Sequence, residues 1–186
     1  MFSSNSRLRF VNDWKIPLAN GQTCCENELL KEFYESGGRR KDIIGALNRV
    51  PMEPTMIEFC KQLHAHGWKL VVLSDANQVY IQEILRHNGI LELFDRIITN
   101  PAYWDEERLV ISRLIGPEHP PHQCPLGICS LNICKGQELD TILAEYIQQQ
   151  HQMIKQDEGT VKVVHPRLLY VGDGRNDYCP SLRLST

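Results

Sequence analysis

The sequence has no apolar run near the roughly 18 residues that a membrane-spanning helix needs. Its opening, MFSSNSRLRF, has no apolar core of the signal-peptide kind. The two absences predict a cytoplasmic protein with no membrane partner. There is no excess of positive charge: 20 Lys and Arg stand against 23 Asp and Glu, a net charge of -3. That balance argues against a nucleic-acid partner. Cysteines do not come in an even number. There are seven, and without a secretory signal they argue against a disulfide framework. Internal repeats are absent, and the nearest thing to low complexity, QQQHQ at 148–152, reads as the frayed end of a helix. What is there is 186 residues, 42% hydrophobic and 23% charged. This composition suits one globular domain with a small appendage.

Periodicity supplies the organisation. Residues 1–22 sustain none, although Trp14 and Ile16 are apolar. ENELLKEFYES (26–36) and RRKDIIGALNRV (39–50) place apolar residues at helical spacing, the first stopped by Gly37-Gly38 and the second by Pro51. PTMIEFCKQLHAHG puts Met56, Ile57, Cys60 and Leu63 on one helix face. The run Leu70 to Leu73 is short, continuous and β-branched, as in a parallel strand buried on both faces. QVYIQEILRHNG is helical again, and FDRIITN supplies another short strand. Helix and strand at these intervals mean βαβ units and a parallel sheet. Residues 101–130 hold five prolines and one possible strand, LVISRL, and read as an excursion over the strand ends. KGQELDTILAEYIQQQ is a strong amphipathic helix, and RLLYV (167–171) reads as a third core strand.

In such sheets ligands sit beyond the carboxyl ends of the strands. Three polar clusters fall there. Ser74-Asp75-Ala76-Asn77 follows the first strand. Lys135 opens the amphipathic helix. Asp173-Gly174-Arg175-Asn176-Asp177 follows RLLYV. Together they suit phosphoryl transfer with a hard cation. A hydroxyl and amides at a helix start bind phosphate oxygens. An ammonium neutralises developing charge. Aspartates on a glycine-rich turn hold Mg²⁺, which takes one or two carboxylates plus water and phosphate. Each cluster also has a plainer reading: a helix cap, a solvated charge and a turn.

Ser74, Lys135 and GDGRND resemble motifs two, three and four of the haloacid dehalogenase superfamily. LSDANQVYIQEIL, IITNPA, CSLNICKG and YVGDGRNDYCPSLRL resemble more narrowly the phosphoethanolamine/phosphocholine phosphatase family. That family includes pyridoxal-phosphate phosphatases and plant thiamine-phosphate phosphatase-like proteins. The resemblance covers roughly 26–184. It implies an α/β fold, a Rossmann-like parallel sheet flanked by helices. It also implies a division into a partial helical cap (1–50) and a phosphatase core (51–186). The implied substrate is a small phosphorylated metabolite. The implied roles are phosphoryl binding by Ser74 and bridging of phosphate and nucleophile by Lys135. Mg²⁺ ligation falls to Asp173, and holding a metal-bound water or orienting Lys135 to Asp177. Asp75 and Asn77 would face the site and help select the substrate.

Motif one of that superfamily, Asp-x-Asp-x-Thr, is absent: the sequence contains no Asp-x-Asp tripeptide, and Asp13 in VNDWK is followed by Lys15 where the second acid belongs. Against the family pattern the chain starts inside the cap and stops soon after CPSLRL. The expectation is a truncated phosphatase without its first strand and nucleophile. The alternative is a catalytically inactive, phosphate-binding or regulatory relative.

Cys124, Cys129 and Cys134 are spaced C-x4-C-x4-C beside His119 and His122. Zinc is conceivable and would make an interaction domain a third reading. The spacing, however, lacks the C-x2-C knuckle and a following ligand pair. Thiols packed near the site are the favoured reading, with Cys179 behind the GDGRND turn. His64, His66, His87, His151 and His165 read as surface residues.

Overall fold

A computed structural model describes residues 23–120, 122, 124–156, 167–172 and 174–185. Asp13, Lys15, Trp14, Ile16, His165 and Asp173 lie outside them. Helices α1 (Thr23–Glu35), α2 (Arg40–Leu47) and α3 (Pro54–Ala65) come first. Strand β1 (Leu70–Asn77), helix α4 (Gln78–His87) and strand β2 (Phe94–Asn100) form the predicted βαβ unit. β1 and β2 run parallel, with Val72 opposite Ile97 and Leu73 opposite Ile98. A hairpin follows, β3 (Ala102–Asp105) and β4 (Arg108–Ile111), whose turn puts Glu106 at φ 55°. A long loop then leads to α5 (Lys135–Gln156), and α6 (Tyr178–Leu182) is followed by a last 3-10 turn at Arg183–Ser185.

Three helices end the same way, and the sequence shows why. After α1, α3 and α4 a glycine at positive φ (Gly37, Gly67, Gly89) lets the chain reverse. The next residue's amide then returns to a carbonyl five back, as Ile90 does to Leu85 at 3.0 Å. α4 is fixed at its other end too, where Asn77 Oδ1 accepts the Tyr80 amide at 3.0 Å.

The core lies between α4, the hairpin and the first two helices. Val79, Leu109 and Ile111 are buried together, with Leu30, Ile43, Tyr80, Ala102 and Trp104 packed around them. Each such side chain contributes about 1.5–3 kcal/mol by leaving water. α1 is also stitched to the hairpin edge by Asn27, which donates to the Ile111 carbonyl at 2.6 Å and accepts its amide at 2.9 Å. A strand edge that offers both groups to one side-chain amide is a paired edge rather than an open one.

Three expectations are corrected. RLLYV is not a strand: residues 167–171 have no hydrogen-bonded strand neighbour among the described residues, and Leu168, Leu169 and Val171 are exposed. A strand is defined by its partner, so an apolar run alone does not make one. β1 is not buried on both faces. Among the described residues it has one neighbour, β2, and Val71 remains 37% exposed. The QQQHQ segment is not frayed, because α5 continues through it to Gln156. The excursion at 101–130 also contains a full hairpin, of which LVISRL supplied only the second strand. On α3 the predicted face is half-buried at Ile57, Cys60 and Leu63, while Met56 is exposed.

Candidate functional site

The three polar clusters converge. β1 delivers Ser74 and Asp75 at its carboxyl end, α5 begins on Lys135, and the turn at Arg175–Asp177 leads into α6. Lys135 Nζ lies 2.6 Å from Asp177 Oδ1, which joins the second cluster to the third. Asn176 Nδ2 donates to Asp75 Oδ2 at 2.9 Å and joins the third to the first. The side chains of Lys135 and Asp177 are only 8% and 13% exposed.

Asp177 is held by three donors. Besides Lys135, the Tyr170 hydroxyl donates to Oδ1 at 2.6 Å and the Gly174 amide to Oδ2 at 2.8 Å. Burial pushes its carboxyl up, but the bonds from Lys135, Tyr170 and Gly174 and the lysine's charge outweigh burial and hold it below the ordinary value. Tyr170 is pushed up, by burial first and then by its bond to Asp177. The hydroxyl therefore stays protonated and keeps donating.

The glycines around the aspartates serve space here. A Cβ on Gly172 would stand 2.5 Å from Asp177 Cγ, and one on Gly174 2.7 Å from Asn176 Oδ1. Gly174 has an ordinary φ of -97°. The missing side chains let the Asp177 carboxylate fold back against its own turn.

Asn100, at the end of β2 and 2% exposed, braces the first cluster. Its Nδ2 donates to the carbonyls of Asp75 and Ala76, each at 2.8 Å. Its Oδ1 accepts the Leu114 amide at 3.1 Å and Asn132 Nδ2 at 3.0 Å. One side chain thus ties the end of β1 to both ends of the loop before α5. Ser74 Oγ accepts the Ala76 amide at 3.2 Å. Asn77 is buried, and its oxygen is committed to capping α4. Glu26 on α1 approaches from the helical pair. Burial raises its carboxyl, and the negative charge of Asp75 raises it further.

The sequence reading gave no role to Tyr170, Asn176, Asn100 or Glu26. Asn100 and Asn176 sat inside quoted motifs, but nothing local marks an amide as a brace. Tyr170 was counted as part of a strand.

Behind Lys135 the thiols of Cys124, Cys129, Cys134 and Cys179 converge, all four sulfurs within 4.8 Å of one another. Cys179 is fully buried beneath the turn, as expected, but it faces the other three. Of the histidines, His64, His66, His87 and His151 are exposed. A ring nitrogen of His122 lies 2.6 Å from the Ser130 carbonyl, and that contact folds the loop.

Among the described residues no helix is long and apolar enough to cross a membrane. A family model described as "Putative Phosphatase" matches residues 22–186. Inorganic pyrophosphatase 1 of Arabidopsis thaliana is 35% identical over 164 residues, covering 86% of this chain and 50% of that protein. The thiamine phosphate phosphatase-like protein of Arabidopsis thaliana is 32% identical, over 96% of this chain and 64% of that one. The phosphoethanolamine/phosphocholine phosphatase of Homo sapiens is 31% identical, over 96% and 63%. The chain spans about half to two thirds of the length of these relatives. No solved structure matches.

Proposed function

We infer, from the premise that this chain belongs to the "Putative Phosphatase" family of haloacid dehalogenase-type phosphatases, that it carries the phosphate-gripping half of a Mg²⁺-dependent phosphohydrolase. The substrate class is a small phosphorylated metabolite. One observation supports this above the rest: Lys135, Asp177, Asn176 and Asp75 connect the three clusters through two short polar contacts.

Lys135 has three N–H donors, and Asp177 takes one. The others have no partner among the described residues and would meet phosphoryl oxygens in a site where water is largely excluded and a fixed charge counts for most. Asp177 holds the ammonium in place, and Tyr170 and the Gly174 amide hold Asp177. Ser74 and the amides that lead into α4 offer neutral donors to the same oxygens. Asp75 is positioned by Asn176 on its side chain and by Asn100 on its carbonyl. The donor set also fits a hard cation. The oxygens are carboxylates, and the Glu26 carboxyl is raised by burial and then by the negative charge of Asp75. Asp173 and Asp75 are the residues that would hold Mg²⁺, and the ion would neutralise charge on the phosphate.

The nucleophile is not among these 186 residues, since no Asp-x-Asp is present. That absence also favours a second reading, a phosphate-binding protein without turnover. Relatives named as pyrophosphatases add an anhydride to the phosphoesters worth testing. The test is hydrolysis by the native protein, and by this chain alone, of phosphocholine, phosphoethanolamine, pyridoxal phosphate, thiamine phosphate and pyrophosphate, with and without Mg²⁺. The expected result is Mg²⁺-dependent release by a native species heavier than 21.4 kDa, with negligible release by this chain. A native species of 21.4 kDa that binds phosphate without turnover would establish the second reading. No phosphate binding by either would overturn both.

A further inference from the structure

The four converging cysteines form a cluster that the phosphoryl chemistry does not use. Cys124 and Cys129 lie in the loop before α5, Cys134 is the residue that precedes α5, and Cys179 is in α6. Cys124 Sγ is 3.6 Å from Cys179 Sγ, and Cys134 Sγ is 3.8 Å from it. Four sulfurs around a tetrahedral zinc at a Zn–S distance of about 2.3 Å stand about 3.8 Å apart. The two separations from Cys179 match that spacing, and all four sulfurs lie within 4.8 Å of one another.

Other features suit a thiolate set more than a patch of small apolar groups. Gly127, at φ 60°, closes the turn after Cys124 with its amide 3.2 Å from the Cys124 carbonyl. Cys134 sits at the amino end of the 22-residue α5, where the helix dipole favours negative charge. Gly136 leaves room for the cluster, since a Cβ there would stand 2.6 Å from Cys179 Sγ.

We propose that Cys124, Cys129, Cys134 and Cys179 bind one zinc ion in a tetrahedral four-sulfur site. Its place in the fold gives it work. Cys134 is the residue before Lys135, and Cys179 comes two after Asp177. The ion fixes both ends of the lysine–aspartate pair and pins the long loop to α6. It has all four positions filled by protein, so it is structural and takes no part in the reaction.

The experiment uses the intact chain, purified without chelator. Elemental analysis and native mass spectrometry should find one zinc per chain. Cobalt(II) put in its place should give the intense visible bands of a tetrahedral ion and sulfur-to-metal charge transfer. Cys129→Ser and Cys179→Ser should each lose stoichiometric metal, and Cys60→Ser should keep it. If the serine variants do not fold, the unmodified chain decides. Four thiols should resist alkylation with metal bound and react once a chelator is added. A chain that takes up no metal after reduction and reconstitution would overturn the proposal. So would a pale, octahedral cobalt spectrum, iron in place of zinc, or retention of zinc by folded Cys129→Ser and Cys179→Ser.

Discussion

The ammonium of Lys135 and the carboxylate of Asp177 meet at 2.6 Å across 42 residues of sequence, and both side chains are nearly out of water. A pair so placed needs both members. With Asp177→Asn, the buried lysine keeps its charge and loses its counter-charge, which costs about 3 kcal/mol. Thermal or denaturant unfolding of this chain should show that loss. Lys135→Met leaves the Asp177 carboxylate without its counter-charge, but the Tyr170 hydroxyl and the Gly174 amide still hold it, so it should cost less. In a native form that hydrolyses phosphate, either change should lower kcat by about 10²-fold or more. Equal stability of Asp177→Asn and the unmodified chain would mean that the pair is not formed.

Gly172→Ala tests why the turn needs glycine. The new Cβ would meet Asp177 Cγ at 2.5 Å. The carboxylate is pinned by three donors, so it moves only by losing some of them. The expected cost is about 1–3 kcal/mol, with weaker binding of inorganic phosphate by calorimetry. An unchanged affinity would place the phosphate grip elsewhere.

Much of this arrangement was legible in the sequence, for identifiable reasons. α4 announces itself by a cap at Asn77, an apolar face and Gly89, all local signals. The three clusters were legible because glycines and acids after apolar runs are rare together. What was not legible depends on distant partners. Whether 167–171 is a strand depends on a neighbour, and so does the burial of β1, which has one strand beside it among the described residues. That Cys179 completes a set with Cys124, Cys129 and Cys134 depends on α6 folding back onto the start of α5, 45 residues away from Cys134. Spacing within one loop could not reveal a fourth member outside it. Asn100 was hidden for the same reason, since its four bonds reach segments from 75 to 132.

Asn100→Ala should be more damaging than its size suggests. It removes two donors from the carbonyls of Asp75 and Ala76 and two acceptor contacts from Leu114 and Asn132. Buried polar groups left unpaired cost about 1–3 kcal/mol each; the four partners are at most half-buried, so a total near the low end, about 4 kcal/mol, is expected. Hydrogen exchange should quicken at Leu114. Asn100→Asp keeps the acceptors but loses the donors, and it should fail to rescue the carbonyl contacts. Unaltered exchange at Leu114 in the alanine variant would refute the brace.

Glu26 and Asp177 should push stability in opposite directions with pH. Asp177 lies below its ordinary value of 3.8, so its contribution is present above that value and lost as pH falls through the lower one. Glu26 is raised above its ordinary 4.5, by burial and then by Asp75. A raised carboxyl favours the folded state most below the unfolded value, and that advantage is lost as pH rises through the folded one. At neutral pH the charged Glu26 therefore opposes folding. Glu26→Gln should stabilise the chain near pH 7, and the gain should shrink as the medium is acidified past the raised value and Glu26 takes up its proton. The check is unfolding of both proteins by urea across pH 4 to 8. A gap between them that stays constant over that range would mean that Asp75 and burial do not act on Glu26. Added Mg²⁺ gives the second arm. A cation held near Asp75 cancels the charge that opposes Glu26, so the gap at pH 7 should narrow when Mg²⁺ is present. A gap indifferent to Mg²⁺ would put the cation away from the end of β1.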